Sequence, residues 1–501
     1  MVEKIFEDIL EGREARQNLS KLRAEIKQRF EREKVEDLIE QDNYLKLVAL
    51  LDHEDAKTRK NAALFMGDME MDSLFMEPVF RAYEREEQLF VRSSYLSALK
   101  NSAYERFLPE MKARLSDLQK MELTEENKKH LLEEQKLLSE LILQKEGRIL
   151  HKFTGYNEKS EIVLLTNRNH IEVVKKQVEE LVDLDSRTLK TFSAGLILKT
   201  DALDRIKDLR TYSELLFRVN GMKTCDLDPV KAAETIAASD LMNFLMKRHE
   251  GGAPFYFRVE RKGKLVLDEK AKFVKKLSQE LELKTSRKLV NSTSHYEIEI
   301  RLVENKSEQF NVFVKLHTLP DERFSYRKEV IAASIKPVNA ALLVQLAKDY
   351  MVEDAQVLDP FCGVGTMLIE RQMVVKGNTS YGIDLYNEGI EKARINTKKA
   401  GQIIHFVNKD MFDFTHEYRF DEIFTNMPFA AGNVSENEIV GIYTRFFQKA
   451  RTLLTDQGTI IMYTHNREFI GTNAAKAGFR VAEKFEVNRR EGTDLYILTR
   501  A

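Results

Sequence analysis

The chain has 501 residues, 43% of them hydrophobic and 32% charged, which suits a soluble protein of about two to four domains with apolar cores. Its formal net charge of −2 excludes a globally basic protein, so a nucleic-acid partner would have to bind a local basic patch. The 2 cysteines, Cys225 and Cys362, lie far apart and form no disulfide framework. Because no signal-peptide core or run of about 20 apolar residues occurs, we expect a cytoplasmic protein without a membrane partner.

Residues 1–120 contain no convincing strand. Two segments resemble each other, "LLDHEDAKTRKNAALFMG" from Leu50 and "YEREEQLFVRSSYLSALK" from Tyr83, and each carries an arginine (Arg59, Arg92) after acidic residues. This spacing is typical of helical repeat units such as HEAT repeats, although an ordinary helical bundle would produce it too. We predict a helical, HEAT-like domain that offers a surface to a protein partner and carries no chemistry.

The segment from Lys112 to Glu146 is rich in Leu, Lys and Glu. That composition predicts one or two exposed helices. We therefore assign residues 121–150 to a helical linker.

Residues 151–330 are predicted to be an α+β region. "SEIVLLT", "SAGLILKT", "FYFRVER" and "QFNVFVKLHTL" have the pattern of strands, and "DEKAKFVKKLSQELEL" that of a helix. The region also concentrates basic residues, which favours a phosphate-binding face, although solvated charged faces are common. These residues are Arg261, Lys262, Lys264, Lys270, Lys272, Lys275, Lys276, Lys284, Arg287 and Lys288.

Residues 331–501 alternate strand and helix, from "AQVLD" and "GTMLIERQMVV" to "GTIIMYTH" and "REFIGTNAAKAG". This alternation predicts a parallel, doubly wound α/β sheet with right-handed crossovers. The last two runs, "FRVAEKFEVNR" and "DLYILTR", are joined by a short turn and predict an antiparallel hairpin at one edge of that sheet.

Three predicted strands of this sheet end in an aspartate. "VLDPFCGVGT" carries Asp359 and the glycines Gly363 and Gly365, "YGIDL" ends in Asp384, and "NKD" ends in Asp410. Ligands of such sheets bind at the carboxyl ends of the strands. One aspartate after a strand is more often a helix cap. Three aspartates at the ends of successive strands, together with a glycine turn, suit the binding of a nucleoside that carries positive charge.

The segment "FTNMPF" ends another predicted strand with an amide, a proline and an aromatic ring. Pro428 cannot donate a ladder hydrogen bond, so the strand must stop there. The segment thus places an amide, a carbonyl restrained by the following proline and a flat aromatic ring together.

These motifs resemble class I S-adenosylmethionine-dependent methyltransferases, with their Rossmann-like catalytic domain. "DPFCGVGT" is similar to the family's first motif in its nucleic-acid amino-methylating branch, and "NMPF" to that branch's catalytic loop. The segment "RFSYRKEVIAASIKPVNAALL" and the middle region resemble the THUMP-associated enzymes that methylate guanosine N2 in tRNA and rRNA. The resemblance implies a THUMP-like, RNA-binding middle region and S-adenosyl-L-methionine as cofactor. The cofactor-binding residues it implies are Asp359, Phe361, Cys362, Gly363, Gly365, Thr366, Asp384 and Asp410.

The catalytic residues implied are Asn426, Met427, Pro428 and Phe429. An exocyclic base amine is a poor nucleophile because its lone pair is delocalised into the ring. Acceptors on its two N–H bonds, the Asn426 side chain and the Met427 carbonyl, would pull it towards tetrahedral geometry. The donor's sulfonium is already activated, so no metal is expected and positioning dominates.

Two positions depart from the family loop. Met427 stands where the family has its first proline, and Phe429 where tyrosine is common. Pro428 still restrains the carbonyl of Met427, and Phe429 keeps its stacking face. Methylation of adenine N6 is an alternative because the loop chemistry serves both amines. A catalytically silent methyltransferase-like scaffold is the alternative from another class.

Overall fold

A computed structural model of the chain describes residues 2–39, 43–69, 72–118, 121, 124, 126–146, 151–182, 188–263, 267–429 and 436–501. Within these ranges a helical region is followed by a mixed α/β region and then by a region that alternates strand and helix, as predicted. Lys264 lies outside the described residues. None of the described helices has both the length and the hydropathy needed to cross a membrane.

The helical region has one apolar core, to which Phe6, Leu22, Phe65 and Tyr95 contribute. Its helices are α1 (Val2–Leu10), α2 (Ala15–Glu25), α3 (Arg29–Leu38), α4 (Tyr44–Ala49), α5 (Ala56–Asp68), α6 (Asp72–Arg85), α7 (Leu89–Ala98), α8 (Leu108–Leu118) and α9 (Lys128–Glu146). Short apolar faces on successive helices therefore share a single interior.

The two recurring arginines make matching contacts. Arg59 on α5 donates to both carboxylate oxygens of Glu86, at 2.8 and 2.7 Å, and to the carbonyl of His53, six residues back. Arg92 on α7 donates to Glu134 at 2.9 Å and to the carbonyl of Glu86, again six residues back. Each arginine thus joins the start of its own helix to a carboxylate further along the chain. The HEAT-like assignment itself stays a prediction.

Helix α9 is part of this core, so the expectation of exposed helices between Lys112 and Glu146 is wrong. Its buried leucines are Leu131, Leu138 and Leu141. Glu134 on the same helix is fully buried and accepts hydrogen bonds from Arg92, Arg114 and the hydroxyl of Tyr83. One of the charges that suggested solvent exposure, that of Glu134, is instead paired inside the helical region.

The strands of the middle region are β1 (Lys152–Phe153), β2 (Ser160–Thr166), β3 (Leu189–Phe192), β4 (Gly195–Thr200), β5 (Tyr212–Arg218), β6 (Thr224–Cys225), β7 (His249–Glu250), β8 (Phe255–Lys262), β9 (Leu289–Asn291), β10 (Ile298–Glu304) and β11 (Phe310–Leu316). Except for β1 and β7, they form a mixed sheet of order β3-β4-β2-β5-β11-β10-β8-β9, in which β6 also pairs with β11. Strands β1 and β7 form a separate two-stranded sheet. The helices are α10 (Ile171–Leu181), α11 (Leu203–Ile206), α12 (Pro229–Ala237), α13 (Leu241–Met246) and α14 (Leu267–Lys284). The predicted strands and the predicted helix of this region are confirmed.

The strands of the last region are β12 (Gln356–Asp359), β13 (Thr379–Asp384), β14 (His405–Asn408), β15 (Phe420–Asn426), β16 (Leu454–Thr464), β17 (Phe479–Asn488) and β18 (Thr493–Arg500). They form one sheet of order β14-β13-β12-β15-β16-β18-β17. Its helices are α15 (Pro337–Ala347), α16 (Thr366–Val374), α17 (Asn387–Lys399), α18 (Glu436–Leu453) and α19 (Ile470–Lys476).

Strands β12 to β16 are parallel, and β18 runs antiparallel between β16 and β17. The predicted parallel sheet and edge hairpin are therefore confirmed. The strand order reverses between β12 and β15, and ligands of such sheets bind at that point.

Two adjacent buried residues of α16 connect this sheet to its surroundings. Glu370 accepts hydrogen bonds from Arg210 of the middle region, at 2.8 and 2.6 Å, and from Tyr326 at 2.7 Å. Arg371 donates to both carboxylate oxygens of Glu422 on β15, each at 2.8 Å. The helix after the glycine turn is thus fixed on one side to the middle region and on the other to the strand that ends in Asn426.

Candidate active site

The turn between β12 and α16 requires glycine at two positions. Gly363 and Gly365 have φ values of +50° and +80°, which L side chains rarely adopt. A Cβ on Gly365 would also lie 3.1 Å from the ring of Phe406. The turn is closed by the N–H of Gly365, which donates to the carbonyl of Cys362.

Asp359 ends β12 and is completely buried. One carboxyl oxygen accepts from the hydroxyl of Thr425 at 2.6 Å and from the N–H of Phe361 at 3.1 Å. The other oxygen has no hydrogen-bond partner among the described residues. Burial raises the pKa of Asp359 to about 7, because water no longer stabilises the ionised form. A cation near the free oxygen would remove that penalty.

Asp384 joins the second strand to the glycine turn. Its carboxylate accepts from the N–H of Gly363 at 2.8 Å and from the N–H of Tyr386 at 2.9 Å. Burial raises the pKa of this carboxyl as well. Each carboxylate oxygen keeps a further lone pair, so Asp384 can hold the turn and still accept from a ligand hydroxyl.

Asp410 accepts from the N–H of Phe412 at 2.9 Å and caps the short turn Met411–Asp413. The capping role that a single aspartate often has is therefore present at this position. Its predicted contact with the donor stays a prediction.

The remaining residues that are predicted to bind the methyl donor differ in their surroundings. Cys362 is buried in the apolar core beside Gly382, so only its main chain lies on the turn. Phe361 is half-buried, and its ring centroid lies 6.1 Å from that of Phe446. Thr366 is buried at the start of α16, and its hydroxyl has no partner in the described part of the chain.

The segment Asn426–Phe429, which we call the acceptor loop, lies at the end of β15, next to β12 in the sheet. The Oδ1 atom of Asn426 is shielded from solvent and has no hydrogen-bond partner among the described residues. A buried amide oxygen without a partner costs about 1–3 kcal/mol, so it is a candidate for binding a ligand N–H. The residues that follow Phe429, 430–435, lie outside the described part of the chain.

The acceptor loop is held by elements distant in the sequence. Met427 is fully buried, and its N–H donates to the carbonyl of Tyr463 at 2.9 Å. The hydroxyl of Tyr443 on α18 lies 2.5 Å from the hydroxyl of Thr464 and donates to the carbonyl of Pro428 at 3.4 Å. The rings of Phe429 and His465 lie 4.4 Å apart at 30°.

Sequence reasoning missed Tyr443 and His465. His465 is the residue directly after β16, so the strand prediction placed it at a strand end. The sequence analysis did not use the position of this strand end beside the acceptor loop, which the sheet order shows, since β16 lies next to β15. Leu385 and Tyr386, which follow Asp384, are mostly exposed, at 60% and 68%.

Six of the basic residues predicted to bind phosphate are paired with glutamates. The pairs are Lys262–Glu260, Lys270–Glu260, Lys276–Glu280, Lys284–Glu234, Arg287–Glu282 and Arg261–Glu304. Three of the predicted lysines, Lys272 and Lys275 on α14 and Lys288, are exposed and have no ion pair within 4.0 Å among the described residues. The phosphate-binding capacity of this face is therefore smaller than the sequence predicts.

Residues 325–493 match a family model described as an RMKL-like methyltransferase domain. The C-terminal region is thus a methyltransferase-like α/β domain. A ribosomal RNA large subunit methyltransferase K/L from Buchnera aphidicola subsp. Acyrthosiphon pisum (strain APS) is 24% identical over 197 residues. That match covers 30% of this chain and 28% of the length of the relative.

Three solved structures share the fold. TrmN from Thermus thermophilus has a TM-score of 0.50 at 19% identity and covers 68% of this chain and 99% of its own. A predicted N6-adenine-specific DNA methylase from Listeria monocytogenes str. 4b F2365 has 0.52 at 19%, covering 68% and 96%. The protein SMU.472, complexed with SAH, has 0.53 at 18%, covering 68% and 98%. Residues 331–501 make up about a third of the chain. A structural match that covers 68% of the chain therefore also includes residues before this region.

Proposed function

We propose that this chain is an S-adenosyl-L-methionine-dependent RNA methyltransferase that modifies an exocyclic base amine, most specifically guanosine N2 in tRNA or rRNA. The observation that carries the proposal is the unpartnered Oδ1 atom of Asn426, on the same loop as Phe429 in a methyltransferase-like domain. An amide acceptor and a flat ring on one loop suit an amine on a planar base.

The residues of the glycine turn fit the donor. Asp359 keeps a buried carboxyl oxygen without a partner, Asp384 keeps lone pairs, and the two left-handed glycines leave no side chain over the turn. A donor that carries a positive charge would stabilise the ionised form of Asp359. When bound, S-adenosyl-L-methionine supplies an activated methyl group on a sulfonium.

The acceptor loop would orient the amine. Asn426 Oδ1 accepts one N–H of the amine and the carbonyl of Met427 accepts the other, which localises the lone pair on nitrogen. Phe429 stacks on the base, a contact worth about 1–3 kcal/mol in comparable complexes. Because Met427 is buried and bonded to Tyr463, its carbonyl is held in place without the family's first proline.

RNA would dock on the middle region, which we propose to be THUMP-like. Lys272 and Lys275 are the candidates for phosphate contacts because both lie on α14 and the described residues leave them without an ion pair. Replacing both with alanine should weaken RNA binding. Because about two phosphate contacts would be lost, the slope of log Kd against log salt concentration should become less steep by about two. Replacing Lys270 and Lys276, which are paired with glutamates, is the matched control and should have a smaller effect.

The test compares Asn426→Ala with Asn473→Ala. Both asparagines are half-buried in the same domain, but Asn473 bonds to the carbonyl of Phe469 within its own helix turn. Methyl transfer to total RNA from a strain without this gene, per folded molecule, should fall about 10²- to 10³-fold for Asn426→Ala only. Donor affinity, measured by calorimetry, should be unchanged in both.

Mass spectrometry of the methylated nucleosides distinguishes the substrates. N2-methylguanosine supports the proposal, whereas N6-methyladenosine supports the alternative suggested by the same loop chemistry. Donor binding without transfer to any RNA would favour the silent scaffold. Undiminished transfer by Asn426→Ala would contradict the catalytic assignment.

A further inference from the structure

The acceptor loop is connected, directly or through Tyr443, to three consecutive residues of the neighbouring strand end. The N–H of Met427 donates to the carbonyl of Tyr463, and Tyr443 links Pro428 to the hydroxyl of Thr464. The next residue along, His465, carries the ring that lies 4.4 Å from Phe429. The loop and the strand end therefore run side by side through Phe429.

His465 is suited to hold an aromatic ring in place. It directly follows β16, and its ring also lies 6.0 Å from that of Tyr463, at 66°. It is half-buried, and desolvation lowers its pKa, so the imidazole is neutral at neutral pH. A neutral ring that directly follows a strand can pack against the ring of a side chain on the neighbouring loop.

We propose that His465 is a positioning residue for base capture: it stacks on Phe429 and holds that ring ready for the target base. This inference rests on the proposed function. Fixing a ring before binding removes the ordering cost that a mobile ring would impose on the complex. His465 acts through Phe429 and need not touch the substrate itself.

The first experiment measures turnover of the full chain with total RNA from a strain without this gene. His465→Ala should lower kcat/KM about 3- to 10-fold per folded molecule, with donor affinity unchanged, since aromatic pairs contribute on that scale. His465→Phe should restore the rate, and His465→Leu should not. His416→Ala is the matched control, because His416 lies 4.1 Å from the ring of Tyr418, before the start of β15.

A double-mutant cycle tests whether His465 works through Phe429. In a Phe429→Leu background, His465→Ala should cause no further loss. Additive losses, or a loss that His465→Phe does not rescue, would overturn the proposal. If the wild type is active and His465→Ala leaves kcat/KM unchanged, the proposed role of His465 is also overturned. The proposed function would stand in that case.

A third experiment does not depend on activity. The chain contains no tryptophan, so Phe429→Trp introduces a single reporter at the loop. Its time-resolved anisotropy should show faster local motion when His465→Ala is added, and no change with His416→Ala. If the wild type bound no donor and methylated no RNA, the proposed function would fail, and this measurement would still decide the role of His465. Unchanged motion in the His465→Ala variant would overturn it.

Discussion

The two halves of the candidate site are held in different ways. The donor half comprises the glycine turn and the three aspartates predicted to bind the methyl donor, Asp359, Asp384 and Asp410. Each aspartate accepts the main-chain N–H two residues further along its own loop, and Asp359 and Asp384 accept in addition from Thr425 and from the N–H of Gly363, respectively. On the acceptor half, the contacts join residues 36 and 15 positions apart, from Met427 to Tyr463 and from Pro428 to Tyr443.

The donor half thus depends in part on contacts within each loop, whereas the acceptor half depends on tertiary packing. A turn in which an aspartate caps its own loop forms from a few neighbouring residues. The acceptor loop keeps its position only while β15, β16 and α18 are assembled. Substitutions on the donor half should therefore change ligand binding, and substitutions behind the acceptor loop should change turnover.

The largest expected effect comes from breaking the pair that joins the two halves. Arg371 and Glu422 are 0% and 2% exposed, so Arg371→Ala leaves a buried carboxylate without its partner. We expect a loss of about 3–5 kcal/mol in the free energy of unfolding, measured in urea. The double variant Arg371→Met with Glu422→Leu should recover most of it. A small loss in the single variant would mean that the halves are held together elsewhere.

Asp384→Ala should weaken donor binding about 10- to 100-fold. The carboxylate would be lost both as a ligand acceptor and as the partner of the Gly363 N–H, and hydrogen bonds to charged groups contribute about 1.5–3 kcal/mol each. Calorimetric titration with S-adenosyl-L-methionine measures the change. Asp226→Ala, which removes an exposed aspartate that accepts the N–H two residues on in the middle region, is the control. Equal affinity in both variants would remove Asp384 from the donor site.

The raised pKa of Asp359, about 7, predicts two opposite pH dependences. In the unfolded chain this carboxyl titrates near pH 3.9, so between about pH 4 and 7 the folded state keeps a proton that the unfolded state has lost. The free energy of unfolding should therefore decrease as pH rises through this window and level off above it. Asp359→Asn should remove that part of the slope.

Donor affinity should move the other way, because a cationic donor favours the ionised carboxyl. It should rise with pH up to about 7, by at most about tenfold per unit. Calorimetry from pH 5 to 8 on the wild type and on Asp359→Asn measures this. A wild-type affinity that does not change with pH would contradict a contact between the donor and Asp359.

The smallest expected effect is that of Tyr443→Phe. The variant keeps the ring in the core and removes the hydroxyl that joins Thr464 to Pro428. We expect turnover to fall by about 2- to 10-fold, since one hydrogen bond contributes about 0.5–1.5 kcal/mol. Donor affinity should stay at the wild-type value. A change in donor affinity instead would mean that the two halves are not separable.

Much of the fold could be predicted because its signals are periodic. Strand–helix alternation indicated the parallel sheet, and the short turn before "DLYILTR" indicated the antiparallel pair that became β17 and β18. The exposure of α9 was predicted wrongly, since the composition of a helix does not show that Glu134 meets Arg92 and Arg114 inside a core.

The sequence by itself determined the local turns of the donor half, where the aspartates after the strands and the glycines that need positive φ make contacts a few residues apart. The tertiary structure added the hydrogen bonds from Thr425 to Asp359 and from Gly363 to Asp384. Only the tertiary structure decided the acceptor half. It placed His465 and Tyr443 behind Phe429 and Pro428, and it paired Lys270 and Lys276 of the middle region with glutamates. Such contacts depend on which strands become neighbours, and no local pattern encodes sheet order.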